Sequence, residues 1–102
     1  MHPIIADKRQ QIEDLCRRYY VRRLELFGSA TGDRFNPDSS DVDFLVRFLP
    51  LEGHAYSDAY FGLLNELERL LGRSVDLLST PTIHNPYLRE SIERNRELIY
   101  AA

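Results

Sequence analysis

The sequence predicts a small α/β fold in which helices pack on a short β-sheet. Three observations predict it: apolar residues recur at helical spacing in two separate stretches, three short runs alternate or cluster as strands do, and glycine or proline punctuates nearly every junction. Runs of strand and helix that interleave in this way form a sheet with helices layered on it.

The first element is a helix from Ile4 to Tyr20, where Ile5, Ile12, Leu15, Cys16 and Tyr19 make the apolar stripe and Lys8, Arg9, Glu13 and Arg17 fill the wet face. Val21 to Phe27 reads as a short strand, with Leu24 and Leu26 alternating with charged neighbours until Gly28 stops the pattern. From Gly28 to Ser40 the small polar residues, Asn36, Pro37 and two glycines describe a loop. Asp41 to Phe48 is a buried strand whose acids stand only at its beginning, with Pro50 and Gly53 marking the exit.

Helical spacing returns near Ala55, where Tyr60, Leu63, Leu64, Leu67, Leu70 and Leu71 form one stripe and Gly72 is placed to cap the C-terminus. Ser74 to Leu78 makes a third strand, halted by Ser79-Thr80-Pro81. Asn85-Pro86 reads as an N-cap with proline at the first helical position, opening a helix to about Arg94. Leu98-Ile99-Tyr100 is either a terminal strand or a partner-binding tail.

Composition narrows the function. The chain has 102 residues and a formal charge of -3, which sets the expectation of one domain, residues 1–102, and of any second substrate-binding lobe coming from another polypeptide. Its cations are scattered among acids, which disfavours broad capture of nucleic acid. The one cysteine, Cys16, cannot form an internal disulfide and sits among apolar residues, so a core thiol in a reducing, cytoplasmic setting is expected. No apolar run is long enough to span a bilayer and the first residues lack a signal-peptide pattern.

The chemistry concentrates in the acids. Side chains alternate along a strand, so Asp41 and Asp43 project to one face while Val42 points to the other. Like charges held side by side repel, and a hard divalent cation such as Mg2+ relieves both while leaving positions for water and phosphate oxygens. Asp76, the one acid in an apolar strand, is the natural third ligand, since a buried lone carboxylate needs compensation. Gly28-Ser29 follows a strand and opens a small-residue turn, where backbone amides and a hydroxyl can approach triphosphate oxygens. Turn and acids together suit nucleotidyl transfer, in which two cations stabilise the entering and leaving oxygens and Asp76 positions or deprotonates the attacking hydroxyl. His2, His54 and His84 match no compact metal spacing and are read as surface or locally bonded histidines. Tyr56, Tyr60 and Tyr100 are read as amphipathic packing.

Phe27-Gly28-Ser29, Ser40-Asp41-Val42-Asp43-Phe44-Leu45-Val46 and Val75-Asp76-Leu77 resemble the signature of the minimal nucleotidyltransferase (MNT) family of the DNA polymerase β superfamily. The similarity covers nearly the whole chain. It implies a small mixed β-sheet packed with helices, Gly28 and Ser29 on the triphosphate, Asp41 and Asp43 on Mg2+, and Asp76 as ligand or base. It also implies ATP as donor and, as partner, a helical HEPN ribonuclease toxin that such antitoxins neutralise, some by transferring AMP to a toxin tyrosine. Two other functions are compatible with the same residues: an antitoxin that blocks its partner sterically, and an adenylyltransferase acting on a small molecule. Where the family often has arginine soon after Gly-Ser, this chain reads Ala30-Thr31-Gly32-Asp33. Arg34 and Arg47 are the candidates to replace that cation.

Overall fold

The computed structural model describes residues 2–28, 41–79 and 96–102. The expected loop beyond Gly28 and the expected helix at 85–94 lie outside the described residues. In chain order the elements are α1 (Pro3–Ala6), α2 (Arg9–Arg18), β1 (Val21–Phe27), β2 (Val42–Phe48), α3 (His54–Leu71), β3 (Val75–Ser79) and β4 (Glu97–Ala101).

The expected first helix is two helices. Lys8 N–H bonds Ile5 O at 3.0 Å, a tightened turn, before Ile12 N–H resumes helical spacing onto Lys8 O at 3.0 Å. From Ala6 to Gln11 no side chain is buried, so nothing anchors a continuous rod across that step. Pro3 opens α1, with His2 Nδ1 accepting from Ile4 N–H at 3.2 Å, the local histidine bond expected. The chain leaves α2 through Tyr20, a non-glycine residue at φ 61°, whose carbonyl accepts from Leu49 N–H at 2.9 Å. That bond ties the helix exit to the end of β2.

The four strands form one mixed sheet in the order β3-β2-β1-β4. β1 runs antiparallel to β2 and to β4, whereas β2 and β3 are parallel. A parallel pair needs a long crossover, which α3 supplies. Leu98-Ile99-Tyr100 therefore belongs to a strand, with Ile99 buried. Ser79 extends β3 one residue beyond the expected stop, because it still pairs with Val46 of β2, and its hydroxyl lies 2.7 Å from the Tyr56 hydroxyl.

One sheet face carries Leu24, Leu26, Val42, Phe44, Val46, Leu77 and Ile99 into a core completed by Ile5, Ile12 and Cys16 and by Ala59, Leu63, Leu67 and Leu71 of α3. The last four are spaced by four residues, the row a helix presents to a sheet. Gly72 adopts the left-handed conformation at φ 65° and ends α3 as expected. Glu68 then accepts Val75 N–H at 3.1 Å, aligning β3 with the helix end. Burial pushes the Cys16 thiol up to about 12, as befits a core thiol with no reactive role. Among the described residues no helix is long and apolar enough to cross a membrane.

Candidate active site

The second sheet face carries the acids. In register, Phe27 of β1 faces Asp43 of β2, and Asp43 faces Asp76 of β3. Adjacent strands lie about 4.8 Å apart, so one row across three strands reads Phe27, Asp43, Asp76. Directly opposed side chains share a face, and the parallel register thus brings Asp76 beside Asp43. Val42 N–H bonds Ser74 O at 3.2 Å where the two strands begin. Asp41 precedes β2 instead of opening it, yet has the parity of Asp43.

The proximity has an electrostatic consequence. The Asp43 carboxyl is pushed up from 3.8 to about 6, first by burial, then by the Asp76 and Asp41 carboxylates. Asp76 also raises the Tyr60 hydroxyl, after burial. The expectation that Asp76 would be the buried acid is corrected: Asp41 and Asp76 are exposed and Asp43 is the half-buried one. The reason lies in the topology, since β3 is an edge strand whereas β2 is flanked on both sides.

Gly28, at φ 76°, lies against this row. A Cβ there would collide with the Asp43 carboxylate oxygen Oδ2, so glycine is required both by backbone conformation and by the closeness of the acid. Ser29 lies outside the described residues.

Among the described residues no three acid, histidine or cysteine side chains form a ready-made metal cage. The electrostatic coupling and the missing cage describe one arrangement: Asp76 and Asp41 near enough to oppose the ionisation of Asp43, with no three side chains converged on a point among the described residues. Mg2+ commonly takes one or two carboxylates and completes its shell with water and substrate phosphate. A charge-strained carboxylate row beside a glycine with no room for a side chain fits that cation.

Further along the same face stands a cluster of which sequence reading missed Glu25 and Arg96. Glu25 is buried at 5% exposure, clamped by Arg23 Nε at 3.0 Å and Arg96 Nε at 3.3 Å. With Leu45, Val46 and Arg47 they line a pocket of about 190 Å³. Arg23 and Glu25 share strand parity, so their common face was legible; the contribution of Arg96 comes from β4 pairing and left no local trace. Arg47 lies four residues along β2 from Asp43, about 13 Å at strand rise, and faces this pocket instead of the glycine turn. Arg34, the other candidate, lies outside the described residues. Between pocket and acids, Phe27 and Leu45 form a small apolar cluster with Leu78 packed against it.

A mixed sheet with helices on one face and an acid row at its mouth is the frame of a nucleotidyl-transferring domain, and the chain belongs to the nucleotidyltransferase domain family, whose model matches residues 8–99. At finer grain, it is 40% identical over 84 residues to a Methanocaldococcus jannaschii protein described as a "putative protein adenylyltransferase", covering 81% of this chain and 79% of that relative. A solved structure described as a "putative minimal nucleotidyltransferase" shares 31% identity with a TM-score of 0.72, over 91% of this chain and 90% of that one. A chain from the complex of tri-AMPylated Shewanella oneidensis HEPN toxin with MNT antitoxin superposes with a TM-score of 0.65 at 18% identity, over 95% of this chain and 72% of that one. That last likeness bears on the fold.

Proposed function

We propose that the chain transfers AMP from ATP to a hydroxyl, a tyrosine's, on a HEPN-type partner protein and so acts as its antitoxin. The observation that carries this reading is the row Asp43–Asp76 with Asp41 beside it, where burial and then the two neighbouring carboxylates raise the Asp43 carboxyl to about 6 against a glycine with no space for a side chain. The M. jannaschii relatives and the AMPylated toxin complex support the choice of donor and acceptor.

Asp41, Asp43 and Asp76 would hold Mg2+, and Gly28 with Ser29 would hold the triphosphate. The cation, when bound, supplies neutralisation of charge on the entering and leaving oxygens. The acceptor oxygen forms a bond to the α-phosphorus as the bond from that phosphorus to the bridging oxygen of the β-phosphate breaks, and pyrophosphate leaves. Asp76, exposed at the sheet edge, takes the hydroxyl proton where an acceptor from another protein can arrive. Incubation with α-labelled ATP, Mg2+ and the HEPN-type partner should label the partner, and Asp43→Asn should abolish the label; undiminished labelling by that variant would refute the mechanism.

The residues after Ser29 support one other reading. Ala30-Thr31-Gly32-Asp33 offer no cation to the phosphates, as suits an antitoxin that works by steric binding. Under that reading an Asp41→Asn/Asp43→Asn chain still protects cells at equal abundance; loss of protection with the complex intact excludes it.

A further inference from the structure

The arginine pocket on the acid-bearing face is not used by the chemistry above. Three arginines, Arg23, Arg47 and Arg96, line it together with a single carboxylate, Glu25. Glu25 is consumed: its two oxygens take Arg23 at 3.0 Å and Arg96 at 3.3 Å, and its side chain is 6% exposed. Both of those arginines remain 47% exposed, so each keeps donors toward solvent. Arg47 is exposed and has no carboxylate partner among the described residues. A buried anion thus fixes two cations in place at the mouth of a cavity, and a third lines the same cavity with no carboxylate partner among the described residues. In a chain of net charge -3 this is, among the described residues, a local positive excess, with donors suited to a planar carboxylate.

Its position says what it serves. Pocket and acid row lie on one sheet face, and Arg23 faces Arg47 across the strands just as Phe27 faces Asp43. Four residues separate the two rows on each strand, about 13 Å. We infer that the pocket is an acceptor-docking site, which binds a carboxylate of the acceptor protein about 13 Å, or four extended residues, from the hydroxyl that is modified. The inference rests on the proposed transfer reading for its register and on the pocket's own chemistry for its ligand. A triphosphate seated at Gly28 does not need these arginines, which stand two register steps away.

Two synthetic peptides test it, each with one tyrosine and a pair of residues beginning four positions away, glutamates in one and lysines in the other. Binding to the wild-type chain and to Arg47→Glu is measured by calorimetry, and AMP transfer by label, at 50 and 300 mM salt. The glutamate peptide should bind wild type at least tenfold more tightly than the lysine peptide, with the preference shrinking at high salt and lost in Arg47→Glu, whose ATP affinity is unchanged. Equal binding of the two peptides, no binding of either, or a preference that survives Arg47→Glu overturns the docking site. A fall in ATP affinity in Arg47→Glu also overturns it, by assigning the pocket to the nucleotide. If the preference holds but neither peptide is labelled, the docking site stands and the transfer reading falls.

Discussion

At the scale of single residues, the site is built from one steric exclusion and one electrostatic conflict. Gly28 has a positive φ and no space for a β-carbon beside Asp43. Gly28→Ala should therefore lower unfolding stability by about 1–3 kcal/mol, read by urea titration, and displace Asp43 enough to cut transfer at least tenfold. The conflict is read through pH. Folding raises the Asp43 carboxyl from 3.8 to about 6, so the cation-free folded chain holds its proton more tightly than the unfolded chain does. The stabilising contribution is complete below about pH 3.8, shrinks as pH rises, and is gone above about pH 6. Asp43→Asn should consequently be more stable than wild type at pH 7 without Mg2+, and should show a flatter stability profile between pH 4 and 7. A variant less stable than wild type at pH 7, with the same slope, would mean that the carboxylate is neither penalised by burial nor under repulsion.

At the scale of elements, the contact of α2 with α3 is set by Gly62. A Cβ there would overlap the Tyr19 ring, which explains a glycine inside an 18-residue helix where alanine is better by about 1 kcal/mol. Gly62→Ala should be net destabilising by about 1 kcal/mol, and adding Tyr19→Ala should cost less in that background than in wild type, a coupling of about 1 kcal/mol in a double-mutant cycle. The salt-bridged Glu25 makes a second case. Glu25→Gln leaves two half-exposed arginines without their shared anion and should cost about 1–3 kcal/mol, with the loss measured at low salt. These elements were unevenly legible. The alternation of Leu24 and Leu26, the leucine row of α3 and Gly72 at its end are local signals, and the structure follows them. The split at Asp7–Lys8 hides in sequence because both halves keep one apolar stripe. Glu25 reads as a solvated residue until β4 brings Arg96 to it, and a five-residue β4 carries too little pattern to separate strand from tail.

At the scale of the whole molecule, function depends on pairings between distant segments. The shared parity of Asp41 and Asp43 was legible from strand geometry, whereas the meeting of Asp76 with Asp43 follows from a parallel register that only the α3 crossover creates. The same arrangement leaves Asp76 at an exposed edge and Asp43 inside, an inequality that sequence reading placed on the wrong acid. Among the described residues, core and chemistry divide between the two sheet faces: helices and the main apolar core hold one, and the acid row, the arginine pocket and the small Phe27–Leu45 cluster occupy the other. Mn2+ titrated into the isotopically labelled chain with ATP tests the central claim most directly, because the paramagnetic ion broadens nearby backbone amide signals. Broadening centred together on Gly28, Asp43 and Asp76, and abolished in Asp41→Asn/Asp43→Asn, is the predicted result; broadening that spares Asp76, or that persists unchanged in the double variant, would contradict a cation held jointly by these strands.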